Sequence, residues 1–297
     1  MIFRFIKHIS FLLVLVLALA CEKTVEFDLD NEEPKLVVDA VIETDQPPVV
    51  ILTNSFDYFS EINEEILASS FVRNADIKIS NGIQEHSLKE YSLVAGNSTI
   101  YYYSIDSADL ATAFVGEQGL NYQMTITVEG KLYSAETTIP ILSKTVDSLW
   151  WKPSPNNPDT TKVVLMARVT DPPGFGNYIR FFTSVNGGNF NPGLNSVFDD
   201  QIVDGTTYDT EVEQGVDRNA DIDFEDYSFF ARGDTVVIKF TNINKASFDF
   251  WRTMEFNYSS IGNPFSSPTR VLGNISGRAL GYFGGYAVQY KRLIIPK

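Results

Sequence analysis

Cys21 is the residue whose position most clearly predicts a chemical event, because it is the only cysteine in the chain. It follows Arg4, Lys7 and an apolar stretch over residues 9–20 that is interrupted only by Ser10. A basic segment, an apolar segment and a small residue before the cut are typical of an export signal. A cysteine directly at the cut indicates a bacterial lipoprotein, so we expect residues 1–20 to be removed. The alternative, an uncleaved anchor, requires about 20 apolar residues, roughly twice the length present.

Acylation of the Cys21 thiol would tether the rest of the chain to a membrane face. One acyl chain, such as a palmitate, binds a bilayer marginally, but the three chains of a mature lipoprotein hold firmly. The modified thiol is then unable to form a disulfide. We therefore expect the folded part to depend on apolar burial and on hydrogen bonds between strands.

The sequence offers few residues for catalysis. His8 would leave with the signal, which leaves His86, next to Ser87, as the one histidine of the mature chain. A Ser-His-Asp triad needs a base with a nucleophile and an acid in reach, and no nucleophile-elbow motif accompanies His86. The favoured interpretation is a histidine on a strand surface. Zinc sites of the Cys and His type are excluded, and we predict no catalytic residue and no cofactor.

Carboxylates are abundant, and their densest group is Asp217, Asp221, Asp223 and Glu225. Oxygen-rich clusters suit calcium, but the spacing does not match the EF-hand loop. Both a calcium site and a solvated acidic loop remain open, and the solvated loop is favoured.

The composition excludes several classes of protein. The net charge of −15 argues against binding to nucleic acid and against a body that lies flat on anionic lipid. Hydrophobic residues make up 44% and aromatic residues 13%, which is enough for a folded core. The 22 Phe and 14 Tyr residues favour sheets over helices.

Residues 21–34 predict an acidic tether that is either a surface-sorting signal or a plain linker. Residues 35–142 then carry about seven short alternating stretches separated by turn signals such as Asn81-Gly82 and Glu129-Gly130. This pattern predicts an antiparallel sandwich of the immunoglobulin-like type.

Residues 145–297 predict a second, β-rich domain of α+β character. Strands are expected at residues 162–170, 178–185 and 235–241, with a loop at residues 186–192. Residues 242–258 show helical spacing of Phe250, Trp251, Met254 and Tyr258, with Asn242 or Asn244 as the cap. The whole chain is therefore expected to be mainly β, with one helix near the C-terminus.

Several stretches of the chain resemble a known family. They read PKLVVDAVIE, GLNYQMTITVEGKLYSAETTIP, VDSLWW, DPPGFGNYIRF and, over residues 263–286, NPFSSPTRVLGNISGRALGYFGGY. Together they resemble a Bacteroidota family of outer-membrane lipoproteins described as a domain of unknown function. The resemblance implies an outer-membrane, surface-exposed lipoprotein, often encoded beside TonB-dependent transporters, and it implies no reaction.

Two segments are candidate partner-binding sites. Asn263, Pro264 and Phe265 open the most specific block of the resemblance; a structural role is favoured for them, as for Asn274, Gly284 and Gly285, and partner binding is the alternative. Trp150 and Trp151 suit an interface, since tryptophan is enriched in interface hot spots. Their favoured role is nevertheless the core between the two predicted domains.

These observations lead to an expected function. The leading hypothesis is a non-enzymatic accessory or binding subunit of a TonB-dependent transporter or another outer-membrane barrel complex. The alternatives are a stand-alone glycan-binding lipoprotein and a surface hydrolase, which would need two carboxylates facing one cleft.

Overall fold

The computed structural model describes residues 33–56, 63–96, 98–155, 157–218, 220–263, 265–267 and 269–297. The predicted signal, Cys21, most of the predicted tether and Pro264 lie outside the described residues. Residues 34–297 form one compact unit. The expectation of a mainly β chain with a helix near the C-terminus is confirmed.

The elements of the described residues run in the following order. The first seven strands are β1 (Leu36–Glu43), β2 (Val49–Asn54), β3 (Asp76–Ser80), β4 (Glu85–Ala95), β5 (Ser98–Ile105), β6 (Asn121–Val128) and β7 (Lys131–Thr138). The next eight are β8 (Thr145–Pro153), β9 (Lys162–Thr170), β10 (Tyr178–Val185), β11 (Asn191–Phe198), β12 (Thr207–Val212), β13 (Phe230–Ala231), β14 (Thr235–Ile243) and β15 (Leu280–Ile294). The helices are α1 (Glu64–Ser69) and α2 (Lys245–Ser260).

Alternation of side chains explains the strands of the first half. In β3, Ile77 and Ile79 are buried while Asp76 and Lys78 face solvent. The same period of two recurs in β1 and β6, and it places one row of each strand in a shared core. Most residues of that core come from the range 35–142.

The two predicted hairpins form where the turn residues permit positive φ. Glu129 and Gly130 have φ of 49° and 76°, which is the pattern of a two-residue type I′ turn between β6 and β7. Between β3 and β4, Gly82 has φ of 86°, and the Asn81 side chain accepts hydrogen bonds from the backbone N–H groups of Ile83 and Gln84 at 3.0 and 2.9 Å.

β15 joins the two halves of the chain. Its first half, Leu280 to Tyr286, pairs parallel with β1, and its second half pairs antiparallel with β14. Phe283 and Ala287 of β15 enter the core of the first sandwich. The domain boundary predicted at residues 142–145 assigns β1 and β15 to different domains, whereas the structure makes them neighbours in one sheet.

This sheet has eleven strands in the order β11-β10-β14-β15-β1-β2-β5-β4-β3-β6-β7. It is mixed, because β1 and β15 run parallel while the other pairs are antiparallel. A second sheet of four strands has β9 at its centre, with β8 along one edge and β12 and β13 along the other. Inward side chains of β8, β9, β10 and β14 form the core of this second sandwich.

α2 begins where Asn244 caps it, since the Asn244 side chain accepts a hydrogen bond from the backbone N–H of Ser247 at 2.9 Å. Phe248 and Phe250 are buried against β15. The helical spacing of Phe250, Trp251, Met254 and Tyr258 led us to expect that all four pack on the sheet; this is wrong for Met254 and Tyr258, which remain 37% exposed.

The C-terminal residues read as glycine-rich and then strand-like, which agrees with β15. Five elements were not expected from the sequence: α1, β8, β11, β12 and β13. β11 contains Pro192 and Gly193, and its first residues belong to the predicted loop at residues 186–192. Proline is tolerated there because β11 is an edge strand, which does not need every backbone N–H for pairing.

Candidate functional site

The second sandwich encloses a cavity of about 600 Å³ between its two sheets. The walls come from β8, β9, β10 and β14, and the opening lies beside β11, β12 and the loop that follows β11. The lining residues are Val146, Ala167, Val169, Ile179, Phe181, Asn195, Phe198, Asp199, Ile202, Val203, Tyr208, Thr210, Glu211, Val212, Glu213, Ile238 and Phe240. Most of the wall is therefore aliphatic or aromatic.

The cavity exists because two edge strands meet there. β11 ends the eleven-stranded sheet and β12 ends the four-stranded one. Ala167, in the middle of β9, is the smallest side chain of the lining.

The rim of the cavity combines exposed apolar side chains with carboxylates. Ile202 is 96% exposed and Phe198 is 48% exposed. Asp199 and Glu213 stand beside them, whereas the Glu211 side chain lies on the outward row of β12 and is paired with Lys152. Exposed apolar groups at a cavity mouth are a common sign of a binding site, because folding alone favours the burial of such groups.

Glu213 is the carboxylate of this rim with the most perturbed environment. Its Oε2 atom is buried and has no hydrogen-bond partner among the described residues. Burial raises the pKa of Glu213 above its usual range, although a hydrogen bond from the Tyr227 hydroxyl partly opposes this. Burial and the Glu213 carboxylate raise the pKa of Tyr227 in turn. A titratable group with a shifted pKa at a cavity is a functional-site candidate.

A buried ion pair lies beside the cavity wall. The Nζ atom of Lys144 is 3.0 Å from Oδ1 of Asp171, and both side chains are fully buried. The ammonium also lies 5.7 Å from the ring centre of Tyr208, which lines the cavity. Burial raises the pKa of the Tyr208 hydroxyl, and the charge of Lys144 opposes that rise.

The backbone around Lys144 is fixed by Asn242 of β14. The side-chain oxygen of Asn242 accepts hydrogen bonds from the backbone N–H groups of Ser143 and Lys144 at 3.1 and 2.9 Å. Its amide nitrogen donates to the Lys144 carbonyl at 2.8 Å. Of the two predicted helix caps, Asn244 caps α2, and Asn242 ties the connection between β7 and β8 to the sheet.

Asp171 belongs to a carboxylate group with Asp200 and Asp204, whose oxygens lie within 4.8 Å of one another. Two of these carboxylates are already bound to backbone N–H groups: Asp200 accepts from Asn177 at 2.9 Å, and Asp204 accepts from Gly174 at 2.6 Å. The third is paired with the Lys144 ammonium. Contacts with backbone N–H groups and with the Lys144 ammonium therefore hold together the loops that follow β9 and β11.

The acidic residues weighed as a calcium site or a solvated loop do not form a shared ion site among the described residues. Among the residues that the structure describes, the carboxylate group close enough to share an ion is Asp171, Asp200 and Asp204. Asp217, Asp221, Asp223 and Glu225 are not brought into such a group. The Asp223 side chain instead accepts a hydrogen bond from the backbone N–H of Glu225 at 3.0 Å, which is a local turn contact.

Trp150 and Trp151 lie on opposite faces of β8, half-buried. Trp151 packs against the core of the second sandwich, with the Arg232 guanidinium 4.6 Å from its ring centre. The Arg168 guanidinium lies 5.9 Å from the ring of Trp150. Both rings are thus covered in part by arginine rather than presented as an open platform.

Of the predicted partner-binding segment, Asn263 and Phe265 are described. The Asn263 side chain accepts a hydrogen bond from the backbone N–H of Phe265 at 3.0 Å, so it forms a local turn. Phe265 is 95% exposed. Its ring contributes nothing to the described core and remains available for contacts.

The later part of the same block holds the sheets together. The Asn274 amide nitrogen donates to the carbonyls of Glu136 in β7 and Phe283 in β15, and its oxygen accepts from the Phe283 N–H at 2.8 Å. A Cβ at Gly285 would lie 2.4 Å from the Thr138 carbonyl oxygen. The expected structural role of Asn274 and Gly285 therefore has a direct physical basis.

His86 is buried rather than on the strand surface as expected. Its Nδ1 atom lies 2.9 Å from the Thr112 hydroxyl, and its Nε2 accepts a hydrogen bond from the backbone N–H of Asp106 at 3.1 Å. Both ring nitrogens are therefore engaged in holding the loop that follows β5.

The sequence did not reveal the cavity residues. Ala167 is far from Thr210 and Glu213 along the chain, and it becomes the neighbour of Thr210 only through the pairing of β12 with β9. One sequence signal was present: Tyr208, Thr210 and Val212 alternate and form an inward row. The sequence analysis did not predict a strand at residues 207–212, so this row was missed.

These features define a mainly β protein with an apolar cavity inside its second sandwich. Residues 22–292 match the model of a family described as a domain of unknown function, DUF4249, and the chain belongs to that family. No curated protein matches the sequence significantly. Neither of the helices in the described part of the chain is long and apolar enough to cross a membrane.

Proposed function

We propose that this chain is a non-enzymatic binding protein of the bacterial envelope whose second sandwich holds a small apolar ligand. The observation that carries the proposal is the cavity of about 600 Å³ between β9, β10, β12 and β14. Ligand cavities usually measure about 300–1,000 Å³ and combine apolar walls with a few polar groups. The cavity has that size and that composition.

The walls suit a ligand held by burial. Ile202 and Phe198, which are 96% and 48% exposed, offer accessible apolar surface at the mouth, above a packed floor that includes Val169, Ile179 and Ile238. Transfer of apolar ligand surface out of water adds roughly 25 cal/mol per Å². The exposed Ile202 and Phe198 would cover the outer part of a ligand that protrudes from the mouth.

The location follows from the N-terminal sequence. Arg4, Lys7 and the apolar run before Cys21 support export and acylation of Cys21. The lipid would hold the protein at the outer membrane, facing the cell exterior. The 13 residues between Cys21 and Lys35 reach about 45 Å when extended, so the folded body is able to approach a neighbouring membrane protein.

The proposed partner is an outer-membrane barrel, in particular a TonB-dependent transporter. Support comes from the resemblance to outer-membrane lipoproteins encoded beside such transporters, and the exposed Phe265 offers a contact point. In this scheme the cavity captures the ligand and the transporter imports it. Pull-down from solubilised outer membrane should recover a barrel protein, and recovery of the chain alone would count against this part of the proposal.

The binding experiment uses the mature chain, residues 21–297, with Cys21→Ser so that no acyl chain or detergent competes. Titration with the apolar fluorophore N-phenyl-1-naphthylamine should show saturable binding at one site. Thr210→Trp, which places a bulky ring in the cavity, should weaken binding by about tenfold or more. Thr207→Trp, on the outward row of the same strand, is the matched control and should bind as the parent does.

Two results would contradict the proposal. One is an absence of saturable fluorophore binding by the folded parent chain. The other is equal binding by the Thr210→Trp and Thr207→Trp variants, which would place the fluorophore outside the cavity.

A further inference from the structure

The last part of the chain has a charge opposite to that of the whole protein. Residues 256–297 contain five Lys or Arg residues and no Asp or Glu, although the chain has a net charge of −15. Arg270 and Arg278 of this part are exposed, and neither side chain forms an ion pair with a described residue. Charge asymmetry within a chain is a sign of contact with a membrane or a nucleic acid.

Exposed apolar side chains lie in the same part of the chain. Phe265 is 95% exposed, Ile261 is 78% exposed, and Leu272 and Leu280 are 48% and 46% exposed. Apolar groups that cluster on a surface mark a site of contact with another molecule or with a membrane. We call the following six residues the C-terminal face: Ile261, Phe265, Arg270, Leu272, Arg278 and Leu280.

The residues of the C-terminal face come from adjoining segments. The backbone N–H of Leu272 donates a hydrogen bond to the Thr253 hydroxyl of α2 at 3.1 Å, so the loop after α2 folds back along the helix. A Cβ added at Gly273 would lie 2.2 Å from the carbonyl oxygen of Gly281, so the same loop then meets the start of β15. The end of α2, the loop and Leu280 therefore lie side by side.

The chain enters the folded body beside this face. Val37 of β1 pairs with Leu280 of β15, and only residues 33–36 of the described body precede it. The 13 residues between Cys21 and Lys35 span at most about 45 Å. Acyl chains on Cys21 would therefore hold a bilayer within reach of the C-terminal face.

Resting on the proposed acylation of Cys21, we propose that the C-terminal face lies against the lipid surface of the membrane that holds the anchor. Ile261 and Phe265 would enter the head-group region, and Arg270 and Arg278 would pair with lipid phosphates. The negative charge of the rest of the chain opposes contact through other faces. The contact would thus fix which side of the folded body faces the bilayer.

The test attaches the mature chain, residues 21–297, to vesicles through its own anchor position. Cys21 is the only cysteine, so its thiol couples to a maleimide lipid at that residue alone. The vesicles consist of phosphatidylethanolamine and phosphatidylglycerol, and the reference is the same chain coupled to a soluble maleimide. Hydrogen exchange followed by mass spectrometry should show the backbone N–H groups of residues 261–272 slowed by about fivefold or more on the vesicle.

The loop at residues 173–176 is an internal control in the same sample. It carries Phe175, which is also an exposed apolar residue but belongs to the loop after β9, outside the C-terminal face. Exchange in this loop should be the same on the vesicle and in the soluble reference.

Two double variants separate the apolar from the charged part of the contact, each compared with its own soluble reference. Ile261→Ser with Phe265→Ser should reduce the slowing to less than about twofold, because the apolar contact with lipid is lost. Arg270→Gln with Arg278→Gln should reduce the slowing to that seen on vesicles of phosphatidylcholine alone, which carry no net charge. Circular dichroism of each variant verifies that the fold is intact.

The outcomes separate this inference from the proposed function. Equal exchange of residues 261–272 on the vesicle and in the soluble reference would overturn the inference, and so would equal slowing of the control loop. Slowing that requires a barrel protein in the vesicle would assign the C-terminal face to a protein partner and reject contact with lipid. Binding of the fluorophore in the cavity is measured without vesicles, so its failure would overturn the proposed function alone.

Discussion

The ammonium of Lys144 lies 3.0 Å from the carboxylate of Asp171, and neither side chain is exposed to solvent. Lys144 belongs to the connection between the first and second sandwiches, and Asp171 directly follows β9. The pair thus fixes the entry into the second sandwich next to Tyr208 of the cavity wall. Buried charges are tolerated only when they are paired, so each depends on the other.

Removing one member of this pair should destabilise the protein strongly. Lys144→Met leaves the Asp171 carboxylate buried without its cation, and we expect a loss of about 3–5 kcal/mol in the free energy of unfolding. Chemical denaturation monitored by tryptophan fluorescence provides the measurement. The double variant Lys144→Met/Asp171→Leu should recover most of this loss, because it removes both charges. A single variant as stable as the parent would show that the pair is solvated in solution.

Gly285 of β15 tests the close contact between β15 and β7. The Cβ of Gly285→Ala would lie 2.4 Å from the backbone oxygen of Thr138, so one strand must move. We expect a destabilisation of at least about 1–3 kcal/mol by thermal or urea unfolding. Gly188→Ala is the control, since its nearest backbone atom is the Val185 oxygen at 3.2 Å. Equal effects of the two substitutions would argue against the tight approach.

Asp200 should contribute stability that depends on pH. Burial alone raises its pKa, but hydrogen bonds from the backbone N–H groups of Asn177 and Gly176 outweigh burial and hold the pKa below its usual value. The folded state therefore binds the Asp200 proton less readily than the unfolded chain does. The stabilisation is full above the unfolded value of about 3.9 and is lost as pH falls through the lower folded value.

Asp200→Asn should accordingly lower the melting temperature at pH 7. The difference between the parent and the variant should narrow as pH falls below about 4. Thermal melts at several pH values provide the measurement. A difference that stays constant down to pH 3 would contradict the lowered pKa.

Glu213 should have the opposite effect on how stability depends on pH. Burial raises its pKa, so the folded protein binds this proton more tightly than the unfolded chain does. Stability is then lost as pH rises from about 4.3, the ordinary value for glutamate, through the raised folded value. We expect Glu213→Gln to raise the melting temperature at pH 7 and to have little effect at pH 4. A lower melting temperature at pH 7 would contradict this sign.

Acylation of Cys21 is tested in the cell envelope. Mass spectrometry of the mature N-terminus should show a lipid-modified Cys21, and Cys21→Ala should release the protein from the membrane fraction. An unmodified Cys21 thiol on a soluble protein would contradict the proposed lipid anchor.

Local sequence patterns predicted much of the secondary structure but not the connection between its two parts. The Glu129-Gly130 turn and the alternation in β3 depend on neighbouring residues, and both formed as expected. The pairing of β15 with β1 joins residues more than 240 positions apart. Nothing in the period of either strand indicates its partner, so the shared sheet was not predictable.

The candidate site was hidden for a similar reason. Cavities arise from what two facing sheets leave empty, and Ala167 or Thr210 is unremarkable in sequence. Glu213 was one of 38 acidic residues, and only burial distinguishes it from the others. The helix at residues 242–258 shows the same limit, because its existence was predicted while its buried face was partly wrong.

A crystal structure of the mature chain with N-phenyl-1-naphthylamine bound tests the proposed site directly. We expect electron density for the fluorophore at the cavity mouth, in contact with Phe198 and Ile202. Density for the ligand at another surface, or a cavity that is closed by its own side chains in the presence of saturating ligand, would contradict the claim.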